Sequence, residues 1–170
     1  MLFRSDRHTG DLISAGVTLS LPTASSLLVN PSQSLLLYVQ PYGAFIYNSG
    51  DLFFQGFMSI TAPLLHSESI VLFTDVGVGY WWYRNPEARL LTALVPTFEI
   101  HIANPLRQPD SAVETIGILD TLRLNNVLDL TVGTTLEFGR RTTLGLGLVV
   151  PVTGPRPFDV ELLAQLNYRF

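Results

Sequence analysis

Apolar and polar residues alternate along this chain with a period of two. The pattern is plainest at the C-terminus. There Phe158, Val160, Leu162, Ala164, Leu166, Tyr168 and Phe170 fall on one side, and Asp159, Glu161, Gln165, Asn167 and Arg169 on the other, with Leu163 the apolar exception. Successive side chains of a strand point to opposite faces, so this spacing predicts strands with one apolar face. Residues 127–138 repeat it, with Leu128, Leu130, Val132, Leu136 and Phe138 against Asp129, Thr131, Thr135 and Glu137. Residues 143–152 set Leu144, Leu146, Leu148, Val150 and Val152 against Thr143, Gly145 and Gly147, and Ile13, Ala15, Val17, Leu19 and Leu21 oppose Ser14, Gly16, Thr18 and Ser20. Further strands are predicted at 34–47, 52–62, 69–83 and 90–103, the last alternating Leu94, Phe98, Ile100 and Ile102 with Thr97, Glu99 and His101. That makes eight, each long enough to cross a bilayer when tilted, for which about 9–11 residues suffice. Pro41, Pro96 and Pro151 lie inside these segments, where each removes a ladder donor. They mark bulges, strand ends or a shifted register.

The connections alternate in length. Residues 22–33 and 104–125 are long, 63–68 and 153–157 intermediate, Arg84 to Arg89 short, and Asn48-Ser49-Gly50-Asp51 and Gly139-Arg140-Arg141 tight. Outer-membrane barrels pair short periplasmic turns with longer outer loops. With Phe170 in the periplasm, every tight turn falls on that side. Phe45, Tyr47, Phe53, Phe54, Trp81, Trp82, Tyr83, Phe138, Tyr168 and Phe170 gather at the same end, as an aromatic girdle at a membrane interface does. In a soluble sandwich they would be core residues. The apolar faces of the predicted strands carry no charge, which a lipid boundary enforces at roughly 2–4 kcal/mol per charge at the midplane. The expected fold is all-β: an antiparallel up-and-down transmembrane β-barrel with about eight strands in this chain, closed or part of a larger barrel. It forms one domain over 1–170, with a polar N-terminal tail over 1–10 and a long outer loop over 104–125.

Composition narrows the picture. Hydrophobic residues make up 47% and charged residues 14% of the chain, against roughly 25% charged in soluble domains. Yet no run reaches the ~18 consecutive apolar residues of a spanning helix. The net charge of −4, with Arg as the only basic type beside His, argues against nucleic acid as a partner. The absence of Cys excludes disulfides, thiol catalysis and thiolate metal sites. The first ten residues include Arg4, Asp6, Arg7 and His8 and hold no apolar signal-peptide core. Export to an outer membrane needs such a signal, so either it has been removed or the chain is a piece of a longer barrel. The second is the expectation.

Candidate chemistry sits on the polar faces. Asp75, Glu99, His101, Asp129, Glu137, Asp159, Glu161 and Arg169 are expected to line the lumen, where they either form an acidic lining that disfavours anions or pair with one another and with water. Arg169 beside Glu161 or Glu137 would be an ordinary buried pair. His101 and Glu99 share a face two positions apart, as an acid–base or metal pair would. No second lumen His accompanies them and no Ser stands in a nucleophile setting, so neither an enzyme nor a metal or cofactor site is expected. The segment 104–125 carries Arg107, Asp110, Glu114, Asp120 and Arg123 among Val113, Ile116, Ile118 and Leu119, and suits a plug, a ligand or partner site, or a packed surface loop. Gly77 with Gly79 and Gly145 with Gly147 give G-x-G spacings, but no strand–loop–helix follows, so no phosphate loop is present.

The ending Leu166-Asn167-Tyr168-Arg169-Phe170 resembles the C-terminal signal of outer-membrane barrels, a terminal Phe preceded by aromatic or apolar residues at alternate positions, through which the barrel assembly machinery recognises them. More of the chain resembles the outer-membrane family named for the meta-pathway of phenol degradation. The matching pieces are Gly10-Asp11 leading into Ala15-Gly16-Val17-Thr18-Leu19-Ser20-Leu21-Pro22-Thr23, then Gln55-Gly56-Phe57, Gly77-Val78-Gly79-Tyr80-Trp81 and Leu146-Gly147-Leu148-Val149-Val150-Pro151-Val152-Thr153-Gly154-Pro155. Members of that family are usually longer, with further strands before the part matched here. The resemblance implies the outer membrane of a diderm bacterium, a surrounding lipid bilayer, the assembly machinery as partner, and passage of small molecules, hydrophobic or aromatic ones among them. It brings no catalytic residues with it. The expected function is therefore a passive channel or transporter, with a non-conducting structural or loop-binding barrel as the alternative. Lumen size separates the two, because eight closed strands leave no aqueous pore and larger rings do. A soluble lipocalin-like carrier would not need detergent, and the apolar bands argue against it.

Overall fold

Strands that alternate in this way must pair every backbone N–H and C=O, and antiparallel neighbours do so most simply. The computed structural model describes residues 2–5, 9–21, 37–64, 69–107, 126–139, 141–153, 156 and 158–170. They form ten strands: β1 (Leu2–Ser5), β2 (Leu12–Ser20), β3 (Tyr38–Ser49), β4 (Leu52–Pro63), β5 (Ile70–Tyr80), β6 (Tyr83–Arg84), β7 (Leu91–Arg107), β8 (Val127–Phe138), β9 (Thr142–Pro151) and β10 (Glu161–Tyr168). All belong to one sheet in the order β1-β2-β3-β4-β5-β7-β8-β9-β10, with β6 attached to β7 alone. Every pairing is antiparallel, so the sheet is an up-and-down meander. It is not closed: β1 and β10 are its edges. No helix occurs among the described residues.

The eight expected strands are all present, with differences in extent, among them a last strand confined to Glu161–Tyr168 where 158–170 was expected. The expected tail over 1–10 contains β1, whose Leu2–Ser5 run antiparallel to Ala15–Leu12. The strand expected over 69–83 stops at Tyr80, and Tyr83–Arg84 form a separate short strand on Leu94 and Ala93. The last strand before the long loop continues to Arg107 rather than ending near 103, because Asn104, Pro105 and Arg107 still find partners on β5. The rest of the 104–125 loop, from residue 108, lies outside the described residues, as do 22–36 and 65–68.

Turn chemistry sets the register at the tight end. Ser49 pairs with Leu52, leaving Gly50-Asp51 as a two-residue loop with Gly50 at φ 65°. Glycine at the first loop position is what a hairpin of this length favours. Phe138 pairs with Thr142 across Gly139, Arg140 and Arg141, with Gly139 at φ 60°. The Thr92 hydroxyl donates toward Gly139 O at 2.8 Å and Glu137 O at 3.1 Å, holding this turn against the register shift between Leu91 and Ala93.

The three prolines sit where a ladder has a gap or stops. Pro41 faces Val17 on one side, while on the other the β3–β4 ladder skips from Val39–Ala62 to Tyr42–Ser59 without losing register. Pro96 lies one residue beyond the end of the β5–β7 ladder at Gly79–Thr97 and before β6 begins. Pro151 ends β9, past the last β10 pair at Val149–Glu161. In each case the missing N–H faces a place where no strand asks for it.

Registered partners share a face, so the pairings assign the positions from β2 to β10 that lie between the register shifts. Within them one face collects Ile13, Val17, Phe45, Tyr47, Phe54, Met58, Ile60, Val76, Phe98, Val132, Leu148, Leu162 and Leu166, with no Asp, Glu, Arg, Lys or His on it; Arg107 is registered to Ile70 beyond the shift at the end of β7. Burial runs opposite to the soluble norm. Adjacent residues of β8 show it: Thr131 on the polar face is 7% exposed and Val132 on the apolar face 61%. Ser14, Ser59, Ala93, Val95 and Val149, all on the polar face, are buried as well. The sheet therefore curls with its polar face inward, where side chains crowd one another. At the edge, β10 is exposed along its whole length on both faces.

Candidate functional site

Two cross-strand rows on the polar face bring the candidate residues together. One runs Leu12–Ile46–Gln55–Gly77–Glu99–Thr131–Val149–Glu161, the other Ser14–Ala44–Phe57–Asp75–His101–Asp129–Pro151. Side chains in directly opposed positions lie within contact of one another, so the rows fix what can meet. At their centre the Nδ1 of His101 donates to Asp75 Oδ1 at 2.8 Å, and the ring Nε2 lies 3.0 Å from Thr131 Oγ1. Glu99 Oε2 stands 3.7 Å from the same Nε2. Asp129, facing His101 from β8, has a buried Oδ1 with no hydrogen-bond partner among the described residues.

Six of the eight residues expected on the polar side, Asp75, Glu99, His101, Asp129, Glu137 and Glu161, stand on the polar face. Asp75, Glu99, His101 and Asp129 form one cluster. Glu137 lies further along β8 and Glu161 at the edge on β10. Asp159 precedes β10 and Arg169 follows it; the Arg169 N–H donates to Arg141 O at 2.8 Å. The expected Arg169–carboxylate pair does not form among the described residues; on the polar face it is His101 that makes ion pairs, with Asp75 and Glu99. Arg84 instead lies over the Trp81 ring, 4.7 Å from its centroid.

Asp75, His101 and Thr131 line up as a carboxylate, an imidazole and a hydroxyl, the order of a nucleophile triad. The surroundings do not complete one. Thr131 is 7% exposed, and its strand is paired on both sides, to Glu99 and to Val149. Ladder pairing consumes the backbone N–H groups that an oxyanion would need. What the arrangement does is tie β5, β7 and β8 together through one ring. Thr131 was not among the residues singled out from the sequence, since only the register shows which hydroxyl meets His101.

Beside this cluster the polar face hollows. A cavity of ≈ 230 Å³ opens among Leu12, Ala44, Ile46, Gln55, Phe57, Asp75 and Glu99, with Gly77 in its lining. The side chains of Gln55 and Glu99 close over Gly77 itself. A Cβ there would come within 3.0 Å of Glu99 Cγ and 3.2 Å of Gln55 Cγ. The face is thus divided laterally. Tyr42 and Phe57, stacked at 5.9 Å between centroids, make an aromatic side on β3 and β4, while the acidic cluster occupies β5 to β8. Tyr42 and Phe57 were not among the residues singled out from the sequence for this face.

The aromatics at the tight-turn end separate in the same way. Phe45, Tyr47, Phe54, Tyr83 and Tyr168 are exposed, and Phe138 is half-buried, all on the apolar face; Trp82 and Phe170 are exposed beyond strand ends. Trp81 is half-buried and pairs with Phe53, a polar-face residue, at 6.4 Å. No group of His, Asp or Glu that could hold a metal ion occurs among the described residues. No protein-family model matches the chain, no curated protein matches its sequence, and no solved structure matches its fold.

Proposed function

We propose that this sheet is barrel wall in the outer membrane of a diderm bacterium and lines a passive route for small molecules. The observation that carries the reading is the inverted burial: an uncharged face of exposed Leu, Val, Ile and Phe outside, and buried Ser and Thr with the acidic cluster inside. A contiguous apolar surface of this extent in water is an association or aggregation site, whereas in lipid it is the solvent-matched side. The exposed aromatics at the tight-turn end and the resemblance to the phenol meta-pathway family support the same assignment. Open edges at β1 and β10 would be satisfied by closure, either on each other or on further strands, since unpaired backbone groups are not tolerated in hydrocarbon.

In this reading the barrel is not an enzyme, and the Asp75–His101–Thr131 chain serves structure. Its partners are the bilayer and the assembly machinery, the latter acting through β10 and Phe170. A second reading, a non-conducting barrel that works through its outer loops, draws on the Tyr42–Phe57 stack, which occupies interior space; a ring of about eight strands has little to spare.

Single-channel conductance in planar bilayers tests the choice. Refolding into detergent should first give heat-modifiable gel mobility, the mark of a closed barrel. Discrete current steps are then expected. A folded but silent protein would overturn the open route and favour the loop-based reading.

A further inference from the structure

The hollow beside Gly77 has a chemistry of its own. One wall is apolar, from Leu12, Ile46 and Phe57. The opposite wall is Asp75 and Glu99, two carboxylates in adjacent cross-strand rows. His101 stands beside them and makes an ion contact with each. The Glu99 carboxylate accepts no hydrogen bond among the described residues and is only partly exposed, at 27%. A carboxylate in that state, at the rim of a cavity whose other side is hydrocarbon, calls for a cationic donor attached to an apolar body.

We propose that the hollow beside Gly77 binds a small organic cation, an alkyl- or arylammonium, with its apolar body against Leu12, Ile46 and Phe57 and its N–H groups directed to Glu99 and Asp75. The volume of ≈ 230 Å³ sets the size class. It falls just below the ~300 Å³ at which pockets for drug-sized ligands begin, so a single ring or a short alkyl chain fills it. An alcohol of the same shape would gain the apolar contact and leave the carboxylates unpaired. A carboxylic acid would be repelled. The inference rests on the reading of the polar face as the barrel's interior, because only there would the hollow lie on a solute's path.

The test is calorimetric titration of the chain folded in a zwitterionic detergent with phenethylammonium, 2-phenylethanol and phenylacetate at neutral pH. Phenethylammonium is expected to bind saturably and about tenfold more tightly than the alcohol, the size of effect a charge-assisted hydrogen bond gives, with phenylacetate not binding. Glu99→Gln, which keeps shape and removes charge, should bring the ammonium down to the alcohol's affinity. Gly77→Leu should remove binding of both. Equal affinity for ammonium and alcohol, or an unchanged affinity in the Glu99→Gln protein, overturns the proposal. Conductance separates the two readings: binding without current sinks the transport route and leaves the site, while current without binding sinks the site and leaves the route.

Discussion

Asp75 and His101 face each other as a registered pair on β5 and β7, and the carboxylate accepts the Nδ1–H of the ring at 2.8 Å. The same ring reaches Thr131 on β8, so three strands share one polar junction. Removing either partner leaves the other among half-buried polar groups. A double-mutant cycle with Asp75→Ala and His101→Ala, followed by urea unfolding in detergent, is expected to give a coupling of about 1 kcal/mol. A coupling indistinguishable from zero would show that the junction is geometric only.

Asp11 closes the start of β2 onto the end of β3. Its Oδ1 accepts the Asn48 backbone N–H at 2.7 Å, and this bond, with help from the Thr9 hydroxyl and the Asn48 amide, holds its carboxyl below the usual range. A depressed carboxyl adds stability that is fully present above its unfolded value, near 3.9 for Asp, and that drains as pH falls through the folded one. Asp11→Asn should therefore flatten the acid limb of the stability–pH curve and leave its neutral limb parallel to the parent's. Superimposable acid limbs in the two proteins would remove the linkage.

Phe45 lies across the top of Gly56, its registered partner on β4, and a Cβ at Gly56 would collide with the ring. Gly56→Ala should force the ring away and cost roughly 1–3 kcal/mol, the usual range for overpacking. Gly56→Ala combined with Phe45→Ala should recover part of that loss. The unfolding midpoints of the two proteins give the answer.

Charge should be tolerated on one face and not on the other. Val132→Arg places a guanidinium at mid-strand on the uncharged face and is expected to lower folding stability in lipid vesicles by about 2–4 kcal/mol. Thr135→Arg, three residues along the same strand on the opposite face, should refold with most of the parent yield. Equal refolding of both proteins into vesicles would contradict a lipid boundary.

Much of the fold was legible in the residues, and the reason is physical. A period of two holds whether or not the neighbours are known, so Leu128, Leu130 and Val132 could be separated from Asp129 and Thr131 at once. Hairpins closed by Gly50-Asp51 or Gly139 fix their own register. The acidic site was only partly legible. Asp75, Glu99 and His101 shared an expected face, but their meeting depends on how β5 aligns with β7. The connection between those strands contains Trp81, Trp82 and the small strand β6 rather than a tight turn, and its length does not encode the alignment. The hollow was invisible for a further reason. Gly77 reads only as part of a G-x-G spacing, and the register alone sets Gln55 and Glu99 on either side of it.

The meander has a consequence for how such a chain is made and altered. Each strand on the sheet's main path lies beside the strand that precedes or follows it in that path, with only the small β6 set aside. Strands adjacent in the sheet are adjacent in the chain, so assembly can proceed hairpin by hairpin, with the long connections after β2 and after β7 the slowest to close. The same locality makes the sheet modular. Duplicating or deleting a hairpin near an edge changes the number of strands while leaving the Asp75–His101 register and the row through Gly77 intact. The width of the sheet and the acidic cluster can therefore vary independently over generations.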